Sequence, residues 1–206
     1  MKYLLLLVLL LPISLSAQKL QKFGIDTLQT VPDGLAVNMF VPDFQMSESE
    51  KFVTNLGQGY SLLVFVRGGW SKPCNKFLSK LQDSLSVITK AGIRVVAVSP
   101  DLEGYRSSTV SKLGLKFPLV GDPKGSIAAD YNGLFTMTKG YKKRLKIFKG
   151  VKTSERFGRD TETMPVTAVY LISASGKIVW RYFNLDSKGR PNVNEIVDQV
   201  RVPVRK

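Results

Sequence analysis

Cys74 is the only cysteine in the chain, and it lies where a buried strand would lead into a helix. Residues 61–66 are mostly apolar, and a polar stretch with helical spacing begins at Ser71, after a Gly-Gly-Trp turn. A thiol in the first turn of a helix meets the positive potential of unpaired backbone N–H groups, which stabilises a thiolate. Lys72 and Arg67 add positive charge close by in the sequence. The sequence therefore predicts a reactive thiol at this junction.

The residues around Cys74 limit the chemistry that this thiol can perform. Ser71 stands three residues earlier, where a two-cysteine motif would have its first thiol. Two thiols are needed for disulfide exchange within one site, so Cys74 cannot complete such a cycle alone. The chain also has no histidine, which removes Cys-His and Ser-His catalysis and the commonest metal ligand. We expect neither a metal nor a bound cofactor.

The N-terminal segment has the features of a secretory signal peptide. Lys2 precedes an apolar run at residues 4–11, and small residues extend to Ala17. We expect cleavage near Ala17 and export to the periplasm or the medium, and an uncleaved membrane anchor is the alternative. The apolar run is short for a bilayer span, so we expect no span in the mature chain. In an oxidising compartment, a lone cysteine is either buried and inert or a deliberate reactive thiol.

The composition indicates one globular domain with a basic surface. The chain has 206 residues, of which 44% are hydrophobic, and its formal net charge is +14. A basic domain attracts polyanions and anionic surfaces. No recognised nucleic-acid motif occurs, so solubility and envelope association are favoured over nucleic-acid binding.

Strand and helix patterns alternate along the chain. The sequence predicts strands at residues 61–66, 93–98, 117–120, 167–173 and 177–183, and helices at residues 71–90, 108–113, 122–133 and 191–200. The first half indicates right-handed βαβ crossovers with parallel strands, whereas the last two strands form an antiparallel hairpin. We predict an N-terminal extension at residues 18–40 and a domain from residue 41 to residue 206.

A basic insertion precedes the hairpin, at about residues 134–163. It has seven cations from Lys139 to Lys152 and no acid before Glu155. One interpretation is a cationic patch for an anionic partner. The other is an insertion over the sheet edge whose charges are only solvated.

Three motifs resemble the peroxiredoxin-like proteins of the AhpC/TSA (redoxin) family. Residues 65–75, Phe-Val-Arg-Gly-Gly-Trp-Ser-Lys-Pro-Cys-Asn, are similar to the family's Arg-Gly-x-Trp-Cys-Pro-x-Cys segment. Residues 41–44, Val-Pro-Asp-Phe, resemble its Ala-Pro-Asp-Phe entry, and residues 164–172 resemble its proline loop and hairpin. The similarity covers residues 40–200. It implies an α/β thioredoxin-like fold, with a central mixed sheet flanked by helices and a basic insertion before the proline loop.

The resemblance also implies a set of site residues. It gives catalytic roles to Cys74, Ser71 and Pro165, and supporting roles to Arg67, Trp70, Lys72 and Thr167. The family's first cysteine is replaced by Ser71. The Met164–Pro165 peptide is expected to be cis and to face the thiol, a rare geometry that proteins use at specific sites.

A second pattern of the same family, Pro-x-x-x-Thr/Ser-x-x-Cys, is similar to the segment that ends in Ser71 and Cys74, with Arg67 in place of the proline. Ser71 could then bind a peroxide oxygen or the thiolate. The arginine that peroxiredoxins hold near the thiol would fall at Thr167. Arg67 and Arg181 are the candidates to replace it.

Two functions remain open from the sequence. In the first, Cys74 attacks a peroxide or a disulfide, and an external thiol reductant recycles it. In the second, the protein is a catalytically inactive thioredoxin-fold binding protein, and Cys74 is a small buried hydrophobic residue.

Overall fold

A computed structural model describes residues 24–26, 31–158, 161–186 and 188–201. The expected signal peptide lies outside these residues. A five-stranded sheet forms the centre of the molecule, in the order β3-β2-β1-β6-β7. The strands of this sheet are β1 Tyr60–Phe65, β2 Ile93–Ser99, β3 Leu119–Gly121, β6 Thr167–Ile172 and β7 Ile178–Asn184. Two further strands, β4 Leu134–Thr136 and β5 Thr163–Pro165, pair separately.

The central sheet is mixed, as the sequence predicts. β1 pairs in parallel with β2, and β2 pairs in parallel with β3. On its other side β1 pairs antiparallel with β6, which continues antiparallel into β7. β1 and β2 are almost wholly buried because helices or loops cover both faces of the sheet, which explains their continuous apolar sequences. Phe65, the last residue of β1, is therefore paired with β2 on one side and with β6 on the other, which holds the start of the site in place.

Seven α-helices occur within the described residues. They are α1 Lys72–Asp83, α2 Leu85–Lys90, α3 Glu103–Leu113, α4 Ser126–Asp130, α5 Lys139–Lys149, α6 Thr153–Phe157 and α7 Val193–Arg201. The single helix expected at residues 71–90 is divided at Ser84, whose ψ of 7° departs from helical geometry. α3 begins five residues before the expected start, and Gly114 ends it in a left-handed conformation.

Helix α1 places the cysteine against the sheet. Its buried side chains are Cys74, Phe77, Leu78 and Leu81, which recur at helical spacing and face one hydrophobic cluster. The same cluster contains Leu62 and Val64 of β1 and the inward side chains of α7. Cys74 is therefore fixed by packing between the central strand and the C-terminal helix.

The basic insertion is a packed substructure. β4 and β5 pair antiparallel, and α5 and α6 lie between them in sequence. Phe135, Met137, Leu145, Phe157 and Met164 form a hydrophobic cluster there, joined by Ile25 of the N-terminal extension. Apolar side chains thus anchor the insertion, while most of its cations are exposed.

Two buried tyrosines predict a loss of stability in alkali. Burial is the main cause that raises the pKa of Tyr170 to about 12, and burial raises the pKa of Tyr131 as well. An unfolded tyrosine titrates at about pH 10, so above this pH the folded state keeps protons that the unfolded state loses. The stabilisation is complete below about pH 10 and is lost as the pH rises towards 12.

We expect the free energy of unfolding to fall by about 1 kcal/mol per buried tyrosine between pH 9 and 11. Urea unfolding across this range checks the prediction. Tyr170→Phe should show a shallower decline than the native protein, and Tyr105→Phe, which changes an exposed ring, is the matched control. Equal slopes for Tyr170→Phe and the native protein would contradict the assignment.

Candidate active site

The sulfur of Cys74 accepts two hydrogen bonds in a fully buried position. Cys74 is the third residue of α1 and is 0% exposed, so its expected place in the first turn of a helix is confirmed. The backbone N–H of Arg67 lies 3.4 Å from Sγ, and Nη2 of Arg190 lies 3.1 Å from it. A guanidinium at hydrogen-bond distance provides a positive partner for a thiolate. This contact is the main electrostatic feature of the site.

Arg190 belongs to the segment between β7 and α7. Its guanidinium also lies over the ring of Phe77, 5.8 Å from the centroid, and Nη1 donates to the backbone oxygen of Gly189. The buried Pro191 follows it and restricts the backbone there. No sequence motif marks Arg190, and its separation of 116 residues from Cys74 hides the contact from local pattern analysis.

A cationic cavity of about 600 Å³ adjoins this contact. Its lining residues are Lys72, Pro73, Lys76, Phe77, Lys80, Lys188, Arg190, Pro191 and Asn192. Arg190 touches both the cavity and the sulfur, whereas Cys74 does not line the cavity. Among the described residues no carboxylate lines it, so an anionic or polarised ligand is favoured there.

Arg67, a supporting residue predicted from the sequence, directs its guanidinium away from the thiol. Nη1 donates to the hydroxyl of Tyr141 at 3.0 Å, and Nη2 donates to the backbone oxygen of Leu185 at 3.1 Å. The guanidinium also lies 4.9 Å from the ring centroid of Phe135. Arg67 thus joins the end of β1 to the basic insertion and to the segment after β7, and it meets the sulfur through its backbone.

Ser71, Trp70 and Lys72 surround the start of α1. Ser71 is the N-cap residue and is buried, and its hydroxyl makes no capping hydrogen bond. Trp70 is half-buried against the cluster of the insertion, and its Nε1 finds no acceptor among the described residues. Lys72 is exposed at the mouth of the cavity. The sequence prediction that these residues gather at one strand–helix junction agrees with the structure.

The expected cis peptide at Pro165 is wrong. The described residues contain no cis peptide bond, so Met164–Pro165 is trans. Pro165 is the last residue of β5, where its Cα is paired with that of Leu134 in an extended two-stranded ladder. A proline at the end of a short edge strand leaves no ladder donor unpaired, so the trans form fits without strain.

The arginine expected beside the thiol does not come from the predicted positions. Thr167 donates its hydroxyl to the backbone oxygen of Asn184 at 3.2 Å, so it ties β6 to β7. Arg181 donates to the backbone oxygens of Asp33 and Leu35, at 2.9 Å and 2.7 Å. Within the described residues, Arg190 supplies the guanidinium that contacts the sulfur.

A buried ion pair holds the turn that leads into α1. Asp101 is 0% exposed and accepts a hydrogen bond of 2.7 Å from the backbone N–H of Gly69. The same carboxylate receives Nε and Nη2 of Arg156, at 2.9 Å and 3.0 Å. Gly68 has a φ of 110°, and a side chain there would collide with Asp101. The pair therefore connects the turn before Ser71 with α6 of the insertion.

The described residues show neither a metal cluster nor a membrane-spanning helix. No group of three or more Asp, Glu, His or Cys side chains is placed to hold a metal ion in this part of the chain. None of the described helices is long and apolar enough to cross a bilayer.

Comparison with known proteins identifies the family. The model of the AhpC/TSA family matches residues 37–181. A Mycobacterium tuberculosis protein named as a peroxiredoxin is 27% identical over 161 residues, which cover 78% of this chain and 83% of that protein.

Solved structures show the same fold. The peroxidoxin BcpB of Mycobacterium tuberculosis superposes with a TM-score of 0.59 at 16% identity, covering 80% of this chain and 96% of that one. A yeast mitochondrial 1-Cys peroxiredoxin gives a TM-score of 0.57 at 17% identity, covering 79% and 73%. The predicted thioredoxin-like fold is confirmed, and the chain, with its mixed sheet and its cysteine at the start of α1, belongs to the AhpC/TSA family of peroxiredoxin-like proteins.

Proposed function

We propose that the protein is a one-cysteine thiol peroxidase in which Cys74 is the nucleophile. The observation that carries this proposal is the contact of 3.1 Å between Nη2 of Arg190 and Sγ of Cys74, in the first turn of α1. A guanidinium and a helix N-terminus both favour negative charge on sulfur. The match to the AhpC/TSA family of peroxiredoxin-like proteins supports the peroxidase class. In such a reaction the thiolate is the group that attacks the peroxide.

The reaction balances with one peroxide and two external thiols. The Cys74 thiolate attacks one oxygen of the peroxide, the O–O bond breaks, and the departing oxygen takes a proton as water or an alcohol. Cys74 is then a sulfenic acid. A first external thiol condenses with it to a mixed disulfide and releases water, and a second thiol displaces Cys74 and leaves as a disulfide. If the substrate is a disulfide, the Cys74 thiolate attacks one of its sulfurs, releases the other as a thiol and forms the mixed disulfide directly.

Neighbouring residues have defined parts in this scheme. Arg190 stabilises the thiolate and the oxygen that departs from the peroxide. The hydroxyl of Ser71, which makes no capping bond, is available to bind a peroxide oxygen. Lys72 raises the local concentration of anionic reductants at the mouth of the cavity. Pro165 pairs with Leu134 in the β4–β5 ladder and Thr167 ties β6 to β7, so we assign neither residue a part in the reaction.

An external thiol is required because Cys74 is the only cysteine of the chain. The structural neighbour from yeast mitochondria is described as a 1-Cys peroxiredoxin that is resolved through the glutathione and thioredoxin systems. We propose that the present protein likewise depends on a thiol from outside the chain. We further propose that it acts after export through its first 17 residues, in the periplasm or the medium.

The alternative is a catalytically inactive binding protein. The observation that favours it is the complete burial of Cys74, since a cysteine without solvent contact behaves as a small hydrophobic residue. If the protein is a peroxidase, a local opening must admit the peroxide to the buried sulfur. Thus the two functions differ in whether small reagents reach the sulfur of the folded protein.

Trapping the sulfenic acid separates the two functions. Native protein is treated with one equivalent of hydrogen peroxide, then with dimedone, and the adduct on Cys74 is read by mass spectrometry. We expect the adduct to form in the folded protein and to disappear when dithiothreitol precedes dimedone. An adduct that appears only in urea would assign the protein to the inactive class.

A further inference from the structure

Helix α5 exposes two large apolar side chains. Ile147 is 59% exposed and Phe148 is 75% exposed, whereas Leu145 of the same helix is buried in the cluster of the insertion. Exposed aromatic rings that are next to another apolar side chain are characteristic of interaction surfaces. We refer to Lys143, Arg144, Lys146, Ile147, Phe148 and Lys149 as the basic face of α5.

The cations of α5 surround these apolar side chains. Lys139, Lys143, Arg144, Lys146 and Lys149 are all exposed. Residues 134–154 contain no acid, and the first carboxylate after them, Glu155, pairs with Lys152 at 2.6 Å. Like charges three or four residues apart repel on a helix, so α5 has an electrostatic cost that an external anion would remove.

The basic face continues to the mouth of the active site. Arg144, Phe148 and Lys149 line one side of a second cavity, of about 370 Å³. The wall of the same cavity also includes Ser71 and Lys72, at the start of α1. A surface that docks on the basic face would therefore lie next to the entrance of the site.

We propose that the basic face of α5 binds an anionic lipid surface, with Ile147 and Phe148 entering the boundary between headgroups and acyl chains. Charge complementarity supports a lipid occupant, because cations beside protruding apolar side chains are the pattern of helices that lie in a membrane interface. The proposal concerns binding alone and does not require peroxidase activity.

Vesicle sedimentation tests this proposal with the mature chain. Binding is measured to vesicles of equal parts phosphatidylglycerol and phosphatidylcholine, and to vesicles of phosphatidylcholine alone. We expect affinity for the anionic vesicles to be more than about 25-fold higher, because the face carries more than two cations. Lys146→Gln combined with Lys149→Gln should reduce it by about 25-fold, since each charge contributes about 5-fold. Phe148→Ser should reduce it by about 10-fold or more.

Matched controls change exposed side chains on two other helices, α2 and α3. Val87→Ser changes a 45%-exposed side chain on α2, and Lys90→Gln combined with Lys112→Gln removes two charges from α2 and α3. We expect both to bind like the native protein, and far-ultraviolet circular dichroism confirms that each variant is folded.

Three outcomes would overturn the proposal. These are the absence of binding to anionic vesicles, equal effects of the control and basic-face variants, and tighter binding of the basic face to a single-stranded oligonucleotide than to vesicles. The last outcome would assign the face to nucleic acid, because bases also stack on exposed aromatic rings.

Discussion

Replacing Arg190 by glutamine is expected to lower the rate constant for the reaction of Cys74 with hydrogen peroxide by about 100-fold or more. The guanidinium donates to the buried Sγ at 3.1 Å in a partly buried contact, which water screens less than it screens an exposed pair. Glutamine keeps a neutral side-chain hydrogen-bond donor, on a shorter side chain, and removes the positive charge. The loss of free thiol after mixing with substoichiometric peroxide gives the rate constant directly.

Two variants make this measurement specific. Arg201→Gln removes the same charge from an exposed side chain of α7 and should leave the rate unchanged. Cys74→Ser defines the background and should consume peroxide no faster than the thiol reductant alone. A rate for Arg190→Gln within about 2-fold of the native value would contradict the electrostatic role that we assign to this residue.

The location of Cys74 was predictable because it depends on local patterns. The apolar residues 61–66 indicate the buried strand, and Phe77 and Leu81 recur at the spacing of a helix that begins near Ser71. The structure places β1 within one residue of the predicted strand and begins α1 at Lys72, whereas α1 ends at Asp83, seven residues before the predicted end. These elements can be recognised because their buried residues recur at a regular spacing along the sequence.

Arg190 was not predictable from the same information. It lies in an irregular segment between β7 and α7, where no periodicity constrains the side chain. Its partner Cys74 is 116 residues away, and the contact exists only because α7 packs on the same cluster as α1. Arg67 was a reasonable candidate by sequence distance, but its guanidinium is used by Tyr141 and Leu185.

The proline loop shows that a family resemblance can predict a backbone geometry that the chain does not adopt. The resemblance predicts a cis peptide, whereas Pro165 lies in a ladder with Leu134 that depends on a non-local pairing of the insertion.

Helix α5 is absent from the sequence prediction, although its limits carry local signals. Thr138 caps it by accepting from the backbone N–H of Tyr141 at 3.2 Å, and Gly150 ends it with a φ of 61°. The segment was interpreted by its many lysines, and charge alone does not indicate where a helix begins or ends.

Asp101→Ala is expected to lower the free energy of unfolding by about 3–5 kcal/mol. The substitution leaves the guanidinium of Arg156 and the backbone N–H of Gly69 without their buried acceptor. Urea denaturation monitored by tryptophan fluorescence measures the change. Glu155→Ala removes an exposed carboxylate that pairs with Lys152 in the same part of the fold, and it should cost less than about 1 kcal/mol.

Stability and reactivity should change together in Asp101→Ala. The carboxylate fixes the turn at Gly69, and that turn sets where α1 begins after Ser71. A looser turn moves the first turn of α1, so we expect the reaction of Cys74 with peroxide to slow as well. The measurement is made where the variant is still folded, and Glu155→Ala should react at the native rate. An unchanged rate in folded Asp101→Ala would mean that the packing of Cys74 against β1, and not the ion pair, positions the thiol.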